Sequence, residues 1–250
     1  MDRERQKYYD LALAALDKRA SLHSVSLNHM TGSNINVNGK ILTPTILVEG
    51  EEVDRRDFAH LFWLFNGASG LYEKTIEEGG DGAPPGIYIK SHGHFVDANH
   101  FIRVGIFKRR SMFCLNINSL FIDHVFLDET RSPPQMGTIG FILCAFAAYK
   151  RGLHSIRLLA AGGTDPRYPS TPYGADYRGY YVWPKFGFDA PLYWHERFDR
   201  RLWRCRTVQD VRLIDEELWR RGGYQRFMTF DLSPGSTSWK ILLEYAKTRV

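Results

Sequence analysis

The stretch Ser119–Gly152, SLFIDHVFLDETRSPPQMGTIGFILCAFAAYKRG, decides how this chain is read. An apolar strand over Leu120–Asp128 runs into a turn closed by Pro133 and Pro134. The loop Gln135-Met136-Gly137-Thr138-Ile139-Gly140 follows, and then an apolar helix predicted over Ile139–Arg151, with Gly152 as its stop. A strand that feeds a glycine-containing turn at a helix start gathers backbone N–H groups without intrahelical partners, at the positive end of the helix dipole. Phosphate or pyrophosphate suits such a pocket. A phosphate-bearing cofactor is therefore the first expectation.

Working downstream, Ser155–Ala161 (SIRLLAA) reads as a short apolar strand, so strand, helix and strand make a βαβ crossover. The segment Gly162–Gly179, rich in Gly, Pro and Tyr, is a long loop. Beyond about Pro191 charged helix-like pieces surround one strand candidate, Arg226–Asp231, and Ser236 or Thr237 caps a last helix over Ser238–Thr248. Working upstream, strands are predicted over Ile87–Ser91, Phe101–Lys108 and Ser111–Asn116, with Lys108-Arg109-Arg110 at a turn. GGDGAPPG at 79–86 is a loop. Asp54 caps a helix predicted over Arg55–Glu78, which Gly67 and Gly70 weaken. Residues 33–49 read as a hairpin about Asn38-Gly39, and residues 3–20 as an amphipathic helix.

The chain of 250 residues, 44% hydrophobic and rich in Trp, Tyr and Phe, is long enough for one large domain with ring-lined clefts. Its net charge of +5 favours an anionic ligand or partner. Three widely spaced cysteines, Cys114, Cys144 and Cys205, form neither a CxxC pair nor a zinc pattern, which points to a reduced, cytoplasmic protein. The charged N-terminal stretch has no signal-peptide profile, and the longest apolar run, near Gly137–Ala148, is short of the ~20 residues a bilayer requires. No membrane association is expected.

The central segment resembles the GNAT superfamily of acyl-CoA-dependent N-acetyltransferases. Their cofactor signature is Arg or Gln, two residues, Gly, one residue, then Gly or Ala. Gln135 and Gly140 fall in register with it, Thr138 replaces the middle glycine, and Gly137 stands beside it. The helix end Tyr149–Gly152, the strand Ser155–Ala161 and the block Tyr180–Phe188, with its late Gly187-Phe188, follow in the family's order. The resemblance covers roughly residues 87–190. It implies an α/β (α+β) fold with a mixed, mostly antiparallel sheet flanked by helices. Around a core over residues 51–190 it leaves an N-terminal helix and hairpin extension (1–50) and a C-terminal helical extension (191–250).

The resemblance also implies acetyl-CoA or another acyl-CoA as cofactor and an amine-bearing acceptor as partner. Phe126 and Leu127 would bind pantetheine through their backbone. The amides from Met136 through Gly137, Thr138 and Ile139 to Gly140, behind Gln135, would bind pyrophosphate. The base candidates are Asp123, His124, Asp128 and Glu129; strand alternation puts His124 and Asp128 on one face, and Asp123 on the other. Trp183 aligns with the family's tyrosine acid, so Tyr181 or Tyr180 is its substitute. The assignment is His124 or Asp128 for the amine proton and Tyr181 for the thiolate.

His92, His94 and His100 form a polar hairpin tip and not a metal site. No nucleophile elbow, P-loop or HExxH pattern occurs. Arginine clusters at Arg197–Arg206 and Arg220-Arg221, interleaved with Trp194, Trp203 and Trp219, leave a nucleic-acid partner open. Two other readings stand beside acyl transfer: a non-catalytic GNAT-like module that binds protein or nucleic acid, and an acyltransferase-fold toxin.

Overall fold

The computed structural model describes residues 3–48, 51–79, 82–110, 116–163 and 177–250. The fold is α+β: helices flank a mostly antiparallel sheet, as the sequence implied. The chain divides into two compact units, residues 1–156 with 246–250, and residues 157–245.

In the first unit, α1 (Arg3–Leu22) and α2 (Ser24–His29) precede a minimal hairpin of β1 (Asn36–Val37) and β2 (Lys40–Ile41). Asn38 and Gly39 turn that hairpin with φ of 52° and 80°, the left-handed pair that a two-residue turn requires. β1 also pairs in parallel with β5 (Ser69–Lys74), so the N-terminal residues complete the sheet and do not form an appendage. β3 (Thr45–Val48) and β4 (Glu51–Asp54) form a separate antiparallel pair.

α3 runs only from Arg55 to Leu61, where the sequence predicts helix to Glu78. Asp54 caps it by accepting a bond from the Arg56 amide at 2.8 Å. It stops because Trp63 takes a left-handed φ of 54° and Gly67 one of 73°, and the chain then enters β5. The apolar stripe of α3 is real, but it belongs to a short helix whose end dives into the core.

An antiparallel meander follows, β5–β6 (Ile87–His92)–β7 (Ile102–Arg110)–β8 (Asn116–His124). Lys108–Arg110 extend β7 instead of turning it, and β8 ends at His124, four residues before the predicted strand end. Most of the predicted strand Ser111–Asn116 lies outside the described residues. One face of the meander carries Tyr88, Phe107 and Phe121, which cluster with Ala83. The other carries Ile89, Val104 and Ile122, all buried.

α4 (Met136–Lys150) is buried on nearly every side, as its run of apolar residues demands. Its contact with the end of α3 is tight. A Cβ on Gly140 would sit 2.4 Å from Nε1 and 2.7 Å from Cε2 of Trp63, so only glycine admits the indole. After α4, the His154 amide donates to the Asn118 carbonyl at 3.1 Å, and the Ser119 and Ser155 hydroxyls lie 3.0 Å apart. These bonds set the start of β9 (Ser155–Gly163) beside the start of β8, the parallel sense of the expected crossover.

The second unit holds most of β9, α5 (Gly179–Lys185), α6 (Val208–Gly222), β10 (Tyr224–Asp231) and most of α7 (Thr237–Lys247). Residues 164–176, with Tyr168 and Tyr173, lie outside the described residues. The Gly-Phe block turns at Gly187, where φ is 100° and a Cβ would fall 2.3 Å from the Ser238 carbonyl oxygen. The interior of this unit is organised about Arg226, which is 3% exposed. Its guanidinium pairs with the carboxylate of Glu196 and sits 4.7 Å from the ring centres of both Tyr193 and Trp219. An arginine is the right cation for this position, because its flat, weakly hydrated head stacks on rings while it forks onto a carboxylate.

Two stability experiments follow. Gly140→Ala is expected to cost about 1–3 kcal/mol or more by forcing Trp63 aside. Gly137→Ala, whose Cβ would meet only Leu127 Cδ1 at 3.4 Å, is expected to be neutral or stabilising. Urea titration of both proteins decides the contrast. Arg226→Met should cost about 3–5 kcal/mol, since it strands the buried Glu196 carboxylate, and the double variant with Glu196→Gln should recover part of that loss in the same titration.

Candidate functional site

The candidate site lies in the first unit, where the residues after β8 lead to the N-terminus of α4. Gln135 is the N-cap of α4, but it holds a left-handed φ of 67° and its side chain makes no cap bond. An ordinary N-cap is extended and supplies a side-chain acceptor to the second or third helical amide. Here the Met136 amide donates to the Pro133 carbonyl at 3.2 Å and the Ile139 amide to the Gln135 carbonyl at 2.9 Å. The first-turn donors left for a ligand are the amides of Gly137 and Thr138.

The expected phosphate cradle is therefore narrower than the stretch Met136–Gly140. Met136, Thr138 and Ile139 are all buried, but only the Met136 and Ile139 amides are engaged, and Gly140 is glycine for the sake of Trp63. Gly140 serves packing and not ligand approach. Gly137 is different: its open side faces Leu127, and it keeps the mouth of the helix bare.

Phe126 and Leu127 lie beyond β8 and are not a strand edge. Leu127 forms an isolated bridge with Val96, and the Phe126 carbonyl accepts from the Asp97 amide at 3.2 Å. The Phe126 backbone carbonyl is thus engaged within the protein. Its ring stacks on His100 with centres 4.0 Å apart.

His124, the last residue of β8, meets His100 with the ring centres 5.3 Å apart and the planes 19° from parallel. The His100 Nδ1 and His124 Nε2 atoms lie 3.2 Å apart, one donating to the other. Phe101 packs on His124 at 4.6 Å, and Lys90 stands 4.2 Å over the Phe101 ring. Two imidazoles bonded through one proton can take up a second and keep the bond, the ring that gains it becoming a donor at both nitrogens. His100 was not among the base candidates. The sequence showed it only as part of a hairpin tip, since its partner lies 24 residues away at the end of β8. His92 supports this geometry through Nδ1, 3.1 Å from the His100 carbonyl. His94 packs edge-on against Phe95.

Asp128 does not behave as a base. Its Oδ1 accepts from the Thr130 amide at 2.8 Å and the Thr130 hydroxyl at 2.6 Å, and its Oδ2 accepts from Arg131 Nε at 2.6 Å. The Thr130 hydroxyl first and Arg131 second hold its carboxyl well below the usual range. A carboxylate so stabilised shapes the loop and has little affinity for a proton at neutral pH. Asp123, on the opposite face, is bound to Arg103 at 2.6 Å, and Arg103 also reaches Glu73 at 2.8 Å. Glu129 is exposed on the loop.

Tyr181 lies on α5 in the second unit. Its hydroxyl bonds the Glu216 carboxylate, and the Lys185 ammonium stands 3.9 Å over its ring. Burial works against the Glu216 charge, but Arg212, the Tyr181 hydroxyl and Lys185 outweigh it and hold that carboxyl low. Tyr180 bonds the Arg220 carbonyl at 2.8 Å. Trp183, half-buried, packs edge-on against Phe188 with centres 5.3 Å apart.

Two of the cavities among the described residues of the first unit contrast in their lining. The larger, about 430 Å³, lies between the β1–β2 hairpin, α3 and β6, and is lined mainly by apolar side chains such as Ile46, Phe58, Phe62 and Ile89. The smaller, about 110 Å³, is polar and lies among α1, α3 and α4, with Asp17, Arg56, His60 and Lys150 on its wall. Asp17 and Lys150 pair across it at 2.8 Å.

No family model, curated protein or solved structure matches this chain. Among the described residues no helix is long and apolar enough to cross a membrane.

His60 makes the small polar cavity a pH-sensitive point of the fold. Its Nε2 lies 3.0 Å from the Met30 carbonyl, and burial, aided by Arg56, pushes its pKa down from 6.5 to about 4. The unfolded chain therefore takes the proton first. The stabilisation is complete above about pH 6.5 and is lost as the pH falls toward 4, a change of about 3 kcal/mol across that window. Urea midpoints measured from pH 7 to 4 should fall in the wild type and fall distinctly less in His60→Gln, whose amide can still donate to Met30.

Proposed function

We propose that this protein transfers an acyl group from an acyl-coenzyme A to an amine acceptor. One observation carries the reading: the chain leaves β8 at a histidine pair and, within one loop, opens the uncapped N-terminus of a buried helix. Gln135 pays for that opening with a left-handed backbone, and strain at a non-glycine residue is commonly kept where a ligand is held.

In this reading the Gly137 and Thr138 amides bind a pyrophosphate oxygen, with the α4 dipole behind them. His124 takes the proton of the attacking amine, and His100 steadies the imidazolium that results. The amine nitrogen bonds the thioester carbon, the carbon–sulfur bond breaks, and the sulfur leaves as thiolate to be reprotonated. Bound coenzyme A supplies the activated carbonyl; the protein supplies position and a proton acceptor. Acetyl-CoA is the simplest donor. Asp128 has no part in the proton transfer, and Tyr181, engaged with Glu216, is not assigned as the thiolate acid.

The engagement of these two groups favours one alternative, a non-catalytic module that retains the binding loop alone. Calorimetric titration with acetyl-CoA and with coenzyme A separates the readings. Gly140→Asp is a poor control because it destroys the seat of Trp63. Gly137→Asp is the better one: a carboxylate in the first helical turn favours the helix and repels an anion. Micromolar binding by the wild type, abolished in a folded Gly137→Asp protein, is the expected result. His124→Phe should then bind normally but release thiol from acetyl-CoA, with a panel of primary amines, at least about 100-fold more slowly. Binding without any thiol release by the wild type would favour the non-catalytic module. Failure of both ligands to bind would remove coenzyme A from the account.

A further inference from the structure

The second unit carries a surface that the acyl-transfer reading does not use. Residues 192–206 form a closed loop whose ends meet: the Leu192 amide donates to the Arg206 carbonyl at 2.8 Å, and Pro191 bridges Thr207. Compact loops of this kind, packed by their own side chains, often carry function. Leu192 and Cys205 fill the inside of the loop, 8% and 1% exposed. A single 3₁₀ turn at Glu196–Phe198 shapes it. Glu196 locks it to Arg226 of β10, and His195 Nε2 lies 2.7 Å from the Tyr224 hydroxyl.

The outside of this anchored loop is unusual. Trp194, Phe198 and Trp203 are 73%, 74% and 64% exposed. Large aromatics left in water at this density call for a partner with faces to cover. Between them stand Arg197, Arg200, Arg204 and Arg206, all exposed and in no ion pair among the described residues. The two acids of the loop are consumed internally, Glu196 by Arg226 and Asp199 by Arg201 at 2.6 Å. The surface therefore shows aromatic rings and uncompensated guanidinium groups in alternation. Arg204 already lies 5.1 Å over the Trp203 ring, so cation and ring share one platform.

We propose that the loop 192–206 binds single-stranded nucleic acid. Unpaired bases stack on Trp194 and Trp203, and the four free arginines take phosphate oxygens along the strand. The choice of strand rests on the pairing of features. Guanidinium forks fit phosphodiesters, and flat exposed rings fit bases, which a duplex keeps stacked inside. The loop is anchored by the Glu196–Arg226 pair and closed by the Leu192–Arg206 bond, contacts that reduce the ordering entropy opposing binding. This inference uses only the second unit and stands independently of acyl transfer.

Fluorescence anisotropy of an end-labelled oligothymidylate, titrated with the full chain at several salt concentrations, tests it. With four phosphates neutralised, the log–log salt slope should be about −3. Trp194→Ala with Trp203→Ala should weaken binding at least about fivefold and leave the slope unchanged. Arg200→Ala with Arg204→Ala should reduce the slope by about half. All four side chains are exposed, so unchanged thermal unfolding is expected and shows that the fold persists. Absence of binding at low salt, or binding indifferent to the tryptophan pair, overturns the proposal. So does preference for vesicles of phosphatidylglycerol and phosphatidylcholine over the oligonucleotide, which would assign the patch to a lipid surface.

Discussion

The contact between Trp63 and Gly140 is the constraint on which the first unit depends. A missing side chain on α4 admits a whole indole, and the indole can reach that place only because Trp63 turns left-handed at the end of α3. That turn ends the helix and sends the chain into β5, where the sheet begins its meander. The same contact fixes where α4 lies and therefore where its N-terminus opens. A packing requirement, and not a ligand, explains the most conspicuous glycine of the loop.

Polar groups do the finer work around that frame. Asp128 gathers the Thr130 and Arg131 donors and so holds the loop that links the histidine pair to α4. His124 depends on His100, and His100 on Phe126, in a cluster whose members come from the end of β8 and the loops before β7 and after β8. In the second unit Arg226 has the corresponding place. A buried guanidinium among three rings and a carboxylate would be costly alone, and each partner it gains makes the others harder to remove. At the surface the anchored loop has its own acids spent, Glu196 on Arg226 and Asp199 on Arg201, which leaves its other arginines without counter-charge.

Much of the architecture was legible in local patterns. The apolar run after Gln135, the Asn38-Gly39 turn, the Asp54 cap and the alternation of Ile87–Ser91 and Arg226–Asp231 each report a short-range preference that the structure keeps. Errors fell where a distant partner overrides such preferences. The stripe Phe58–Phe65 satisfies a helix period throughout, yet Trp63 leaves the helix to meet Gly140, 77 residues later in sequence. Boundaries at 50 and 190 followed the extent of the family resemblance. Strand β1 nevertheless belongs to the sheet, because its backbone partner is β5.

The candidate site divides in the same way. Sequence alone determined that a strand, a glycine-bearing loop and an apolar helix follow one another, and that His124 and Asp128 stand near the loop, because these are statements about neighbours in the chain. Only the tertiary structure decided which of them are available. Hydrogen bonds committed Asp128 to its loop and Tyr181 to Glu216, and packing took Gly140. A fold back through space gave His124 its partner His100. Availability depends on what surrounds an atom in three dimensions, and the order of residues does not contain that.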